Sequence, residues 1–92
     1  MIKSYLCRDT QKLADHYQVR RFIQFERVAQ RKLAQLNAAA TLDMLRVPPG
    51  NHLEALHGGR TGQYSIRINK QWRLSFRFED GHAYDVEIID YH

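Results

Sequence analysis

Two adjacent runs of strict alternation constrain this chain more than anything else in it. In Gln63-Tyr-Ser-Ile-Arg-Ile68, Tyr64, Ile66 and Ile68 fall on one side and Gln63, Ser65 and Arg67 on the other. In Trp72-Arg-Leu-Ser-Phe-Arg-Phe78, Trp72, Leu74, Phe76 and Phe78 alternate with Arg73, Ser75 and Arg77. A period of two sends successive side chains to opposite faces, so these runs predict an antiparallel hairpin with one buried face. Both apolar sets share that face only if the loop has an odd length, and Asn69-Lys-Gln71 supplies three residues. The resulting register sets Arg67 opposite Arg73 and Gln63 opposite Arg77. Like charges directly opposite are unfavourable in a sheet. The arginines therefore either pair with acids on a neighbouring strand or form a surface built to meet an anion.

Asp80-Gly81 is a favoured pair for a tight turn, and the run Ala83–Tyr91 after it predicts a last strand. Simple alternation there buries Tyr84, Val86 and Ile88 and leaves Asp85 and Glu87 on the arginine side, where they can pair with Arg67 and Arg77. Upstream, Met1–Leu6 reads as a short first strand. A short helix capped by Asp9 or Thr10 follows, through about Asp15 or His16. Phe22, Phe25, Ala29, Leu33, Leu36 and Ala40 recur at three- and four-residue steps, which predicts a longer helix over roughly Phe22–Asn37 with one apolar stripe. Thr41–Leu45 reads as a further helical turn. Pro48-Pro49-Gly50-Asn51 breaks the chain, and Leu53–Leu56 is a short strand candidate. Helices first and strands afterwards give an α+β fold: two N-terminal helices packed on a small twisted antiparallel sheet, in a single domain spanning 1–92.

Charge narrows the partners. The net +4 is uneven: residues 1–40 carry eight Lys/Arg against three acids, whereas 41–92 carry six against seven. Arg20, Arg21, Arg27, Arg31 and Lys32 lie mostly off the helical stripe and form one basic zone. Arg60, Arg67, Lys70, Arg73 and Arg77 form the second, uninterrupted by any acid between Ala55 and Phe78. An acidic partner follows from such a distribution. The single cysteine, Cys7, cannot close an internal disulfide, and no long apolar run or cleavable leader is present, so a cytoplasmic protein without a membrane partner is expected. His16, His52, His57, His82 and His92 lack the paired spacing of a zinc site, so no metal and no cofactor are expected. His57-Gly-Gly-Arg-Thr-Gly62 lacks the lysine-serine ending of a nucleotide-binding loop.

Metal-free cleavage of RNA can be assembled from what remains. It needs a base for the ribose 2′-OH, cations over the developing phosphorane charge and an acid for the departing 5′-oxygen. Glu54, the arginines around Arg73, and His92 or Tyr91 supply one of each.

Several short motifs taken in order resemble one family. Leu53-Glu-Ala-Leu56, Gly59-Arg-Thr-Gly62, Ser65-Ile-Arg-Ile-Asn69, Trp72-Arg73 and the closing Asp90-Tyr91-His92 are similar to those of a HigB toxin of the RelE/ParE superfamily, and Met1-Ile-Lys-Ser4 extends the likeness across the chain. The resemblance implies a RelE-like fold and the toxin of a bacterial type II toxin–antitoxin system. It implies an endoribonuclease that cuts mRNA in the A site of the 70S ribosome and inhibits translation. A HigA-type helix-turn-helix antitoxin would neutralise it, in a toxin–antitoxin heterotetramer. Asp90, Tyr91 and His92 match positions held catalytic in HigB toxins, and Arg73 matches the arginine on the scissile phosphate. Glu54 departs from the HigB form with histidine there and matches the acidic general base of the YoeB branch. His57 stands where other members often carry lysine, a place from which it could contact phosphate or act as base in place of Glu54. The expected catalytic set is thus Glu54, Arg73, Asp90, Tyr91 and His92. The expected RNA contacts are His57, Arg60, Arg67 and Lys70 at the hairpin, with Arg20, Arg21, Arg27, Arg31 and Lys32 on the helix. A ParE-like gyrase poison and a noncatalytic RNA-binding domain are the alternatives on the same fold.

Overall fold

The computed structural model describes residues 1–56, 58–60 and 62–90, with the side chain of Arg60 left out. Helix α1 (Arg8–Ala14) and helix α2 (Glu26–Ala38) precede four strands: β1 (Glu54–Ala55), β2 (Gln63–Arg67), β3 (Trp72–Glu79) and β4 (His82–Asp90). The strands form one antiparallel sheet in the order β1-β2-β3-β4. The α+β class and the helix-then-strand order expected from the sequence are both present.

Alternation set the hairpin register correctly. Gln63 pairs with Arg77, Tyr64 with Phe76, Ile66 with Leu74 and Arg67 with Arg73. Ile66, Leu74 and Phe76 are fully buried beneath the helices, together with Phe22, Leu36 and Val86, each large side chain stabilising by about 1.5–3 kcal/mol. The loop closes as an Asx turn: Asn69 Oδ1 accepts from the backbone N–H of Gln71 at 2.9 Å and of Trp72 at 2.8 Å. In the β3–β4 turn, Asp80 and Gly81 both have positive φ, +50° and +79°. Glycine is required at 81 twice over, because an added Cβ would meet the Ala40 carbonyl oxygen at 3.0 Å.

Four expectations about the elements need correction. Helix α1 begins at Arg8 behind Cys7, so neither Asp9 nor Thr10 caps it. The long helix is interrupted: residues Arg20–Phe25 form a 3-10 turn, and α2 begins at Glu26. The break turns Phe22 and Phe25 onto Trp72, with ring centroids 5.8 and 5.2 Å away. Met1–Leu6 is not a regular strand but makes two isolated parallel bridges, Ile2 to Ala83 and Tyr5 to Val86. Tyr84, expected inside, faces the arginine side and pairs with Arg77, while Ala83 is buried instead. One bulge explains both strand differences. Ser75 pairs with Glu87 but Arg77 with Tyr84, so Phe76 faces two residues of β4, and Asp85 takes φ +54°. Ala83 and Val86 are three positions apart and can share a buried face only with this inserted residue. The same irregularity interrupts the ladder to the N-terminal segment, where Ser4 Oγ accepts the Asp85 N–H at 2.9 Å.

Candidate active site

The face of the sheet turned away from the helices carries Arg67, Arg73 and Arg77, and the fold treats each differently. Arg77 is taken up by acids: Glu79 and Asp85 pair with it, the latter at 3.5 Å, and its guanidinium lies 4.7 Å over the Tyr84 ring. The expected pairing of Arg77 with Asp85 therefore forms. The companion pair between Arg67 and Glu87 does not; Arg67 Nε donates to the Asn69 carbonyl at 3.2 Å.

Arg73 is only 6% exposed, in spite of its charge. Burial of a guanidinium is tolerable when its donors are occupied. Here Nε donates to Ser65 Oγ at 2.8 Å, and Nη2 donates to the Ser65 carbonyl at 3.2 Å and to the His52 carbonyl. Ser65 belongs on the same face as Arg73 by alternation and is itself buried. His52 adopts the left-handed conformation at the end of the turn Pro49–Asn51, with φ +45°, and its carbonyl reaches Arg73 from the edge of the sheet. Arg67, opposite Arg73 in the ladder, is drawn to the loop instead, which separates two like charges.

Glu54 completes the arrangement. It pairs with Ser65 across β1 and β2, and alternation places it on the Arg73 face. Its carboxylate Oε2 lies 4.0 Å from Arg73 Nη2 and is half exposed. Glu54 and Arg73, with His52, Arg67, Asn69 and Lys70, line a hollow of about 210 Å³. A fixed guanidinium, a solvent-reachable carboxylate and two further cations around one concavity can hold a phosphodiester and remove a proton beside it.

The remaining expected site residues divide. Asp90 ends β4 opposite Trp72, and its Oδ2 accepts from Gln71 Nε2 at 3.0 Å. Arg60 sits in the 3-10 turn Gly58–Arg60, but its side chain, His57, Tyr91 and His92 lie outside the described residues. Arg20, Arg21, Arg27 and Arg31 are exposed; Arg21 pairs with Asp9 at 3.0 Å and stacks on Phe22. Lys32 is a correction. Only 6% exposed, it donates from Nζ to Asn51 Oδ1 inside the protein and is not on the basic face. Burial, with Arg31 nearby, holds its ammonium below the ordinary lysine range. Sequence reading missed His52, whose position after a proline break has no periodicity to reveal it, and the two anchoring atoms of Ser65.

Comparisons with known proteins give the family and the fold. Residues 4–92 match the family described as the RelE-like toxin of type II toxin–antitoxin system HigB. The chain is 53% identical over 53 residues to Toxin HigB-1 of Vibrio cholerae, covering 58% of this chain and 56% of that protein. It is 42% identical over 40 residues to Endoribonuclease HigB of Proteus vulgaris, covering 44% of each. The matched stretch thus spans about half the length of these two relatives. Among solved structures, Escherichia coli YafQ superposes with a TM-score of 0.61 at 15% identity, over 98% of this chain and 91% of that one. The Staphylococcus aureus YoeB–YefM complex gives 0.58 at 22% identity, over 100% and 95%. Both show the same fold.

Proposed function

Since the chain belongs to the HigB-like toxins, the RelE-like toxins of type II toxin–antitoxin systems, we propose that it is an endoribonuclease that cuts mRNA in the ribosomal A site and thereby arrests translation. The observation that carries this reading is the half-exposed Glu54 carboxylate 4.0 Å from the buried Arg73 guanidinium, on the wall of one hollow.

The reaction follows from those groups. Glu54 takes the proton of a ribose 2′-OH, and the oxygen attacks the adjacent phosphorus. Arg73, already desolvated and aimed by Ser65 and His52, stabilises the negative charge that builds on the phosphorane oxygens. Because its donors are held before substrate arrives, little reorganisation is required at the moment of reaction. The P–O5′ bond then breaks, His92 returns a proton to the leaving oxygen, and a 2′,3′-cyclic phosphate remains on the upstream fragment. Arg67 and Lys70 hold neighbouring phosphates, and Arg60 and His57 are assigned the same role; Tyr91 stacks on a base and Asp90 orients its neighbours. No metal ion takes part.

The exposed Arg20, Arg21, Arg27 and Arg31 would meet ribosomal RNA. A HigA-type helix-turn-helix antitoxin is the proposed neutralising partner, in a heterotetramer in the cytoplasm; the relative from Staphylococcus aureus is a complex of YoeB with YefM. No helix among the described residues is long and apolar enough to cross a membrane.

The test is to map mRNA 5′ ends after brief expression of the wild type and of Arg73→Lys. Cuts inside translated regions, in step with the reading frame and lost in the variant, are expected. Growth arrest with impaired gyrase supercoiling and no cuts would select the ParE-like reading. RNA binding without cuts would select a noncatalytic one.

A further inference from the structure

The hydrogen bonds that aim Arg73 do not end at His52. The residue before it, Asn51, is fully buried, and every polar atom of its side chain is engaged. Asn51 Nδ2 donates to the Leu45 carbonyl at 3.0 Å, to Gln35 Oε1 at 3.1 Å and to the Val47 carbonyl at 3.4 Å. Its Oδ1 accepts from Lys32 Nζ. Its backbone N–H donates to the Pro48 carbonyl at 2.9 Å, and the His52 N–H donates to the Pro49 carbonyl at 3.1 Å. Gln35 also bonds the Val47 carbonyl, so α2 grips this loop at two points a turn apart, Lys32 and Gln35.

Lys32 is the least expected member. It lies three residues after Ala29 and four before Leu36, on the apolar stripe of α2, where methionine or leucine would pack without desolvating a charge. Yet its head group contacts the side chain of Asn51, the residue immediately before the one whose carbonyl orients Arg73. The His52 carbonyl can point at that guanidinium only while His52 holds its left-handed conformation, φ +45° and ψ +58°. Non-glycine residues keep such a conformation when their surroundings over-determine it.

We propose that Lys32 and Asn51 form a buried positioning pair that ties helix α2 to the loop carrying His52, so that Lys32 sets the orientation of Arg73 without touching RNA. The catalytic consequence rests on the nuclease reading of the hollow; the tether itself does not. It makes α2 a two-sided element, with exposed Arg27 and Arg31 outside and the support of the catalytic guanidinium inside.

The test uses the full chain and two readouts. The Arg73 Nε–Hε signal in a ¹⁵N–¹H spectrum, identified by its loss in Arg73→Lys, reports the guanidinium directly. Single-turnover cleavage of ribosome-bound mRNA reports the chemistry. Lys32→Met is expected to shift that signal, to speed its exchange with solvent, and to slow cleavage by about tenfold to a hundredfold. Half-saturation by the ribosome complex should change by less than about threefold, because Lys32 makes no contact there. Lys32→Arg, which keeps a donor, is expected to recover part of both losses. Leu13→Val, a core change on α1, controls for lost stability and should lower the melting temperature while leaving the Arg73 signal in place. An unmoved Arg73 signal in Lys32→Met overturns the proposal, as does an equal shift in Leu13→Val. A signal that responds in a protein that cuts no RNA would uphold the tether and remove the nuclease reading.

Discussion

The two basic zones of this protein differ in what their charges are free to do. On the helix side, Arg20, Arg27 and Arg31 are exposed, and Arg21, also exposed, is engaged by the Asp9 carboxylate, the Cys7 sulfur and the Phe22 ring face. On the sheet side, Arg73 is 6% exposed and, among the described residues, held by hydrogen bonds to Ser65 and His52, with a carboxylate 4.0 Å away. Exposed cations on long side chains attract an anion without committing to a geometry. A desolvated cation in a set orientation has given up that freedom and can favour one charge distribution over another. Under the proposed function, the helix zone holds RNA and the hollow changes it. Arg77 shows that position alone does not decide: four residues from Arg73 on the same strand, it is neutralised by Glu79 and Asp85.

Among the arginines, the largest effect should come from Arg73→Lys, which keeps the charge but loses the fork that reaches Ser65 and His52 together. Cleavage should fall about 10²–10³-fold with binding to ribosomes little changed. Arg73→Ala is a poorer probe, since it strips the buried Ser65 hydroxyl and carbonyl of their donor. Replacing Arg27 and Arg31 by Gln should do the opposite. Binding weakens, the slope of log affinity against log salt drops by about one per arginine, and the single-turnover rate at saturation stays near wild type. Arg77→Ala should alter cleavage by less than about twofold and stability by no more than about 1 kcal/mol, as its partners are exposed. A large catalytic loss in Arg77→Ala would erase the distinction between the two arginines.

The smallest effect is a pH dependence. The folded state holds Lys32 below its ordinary pKa, 10.5, so between the lowered value and 10.5 the unfolded chain binds more protons and stability rises with pH. Lys32→Met removes that contribution. Denaturant titrations across the alkaline range should therefore show a flatter rise for the variant than for the wild type.

How far the sequence revealed this follows from which forces act locally. The hairpin register was legible because a buried face penalises any one-residue slip. Glu54 was joined to Arg73 through the groups that RNA cleavage needs and the family resemblance, whereas the β1–β2 pairing that sets it on the Arg73 face was not read. The β4 bulge was not read, although the three-residue spacing of Ala83 and Val86 carries it; Tyr84 suited the simpler pattern. Lys32 was misassigned for a related reason. Its spacing from Ala29 and Leu36 puts it on the buried stripe, but its charge suggested the solvent side. The His52 carbonyl could not have been found, since a backbone oxygen aimed by one left-handed residue after a proline break leaves no periodic trace.

The most direct measurement of the central claim is single-turnover cleavage of ribosome-bound mRNA by Glu54→Gln, alongside its binding to the same complex. The change removes the proton acceptor, preserves shape and leaves a half-exposed position little perturbed. A carboxylate base predicts a loss of about 10²–10⁴-fold in rate at unchanged binding. A wild-type rate from Glu54→Gln would contradict the assignment of this hollow as the place where RNA is cut.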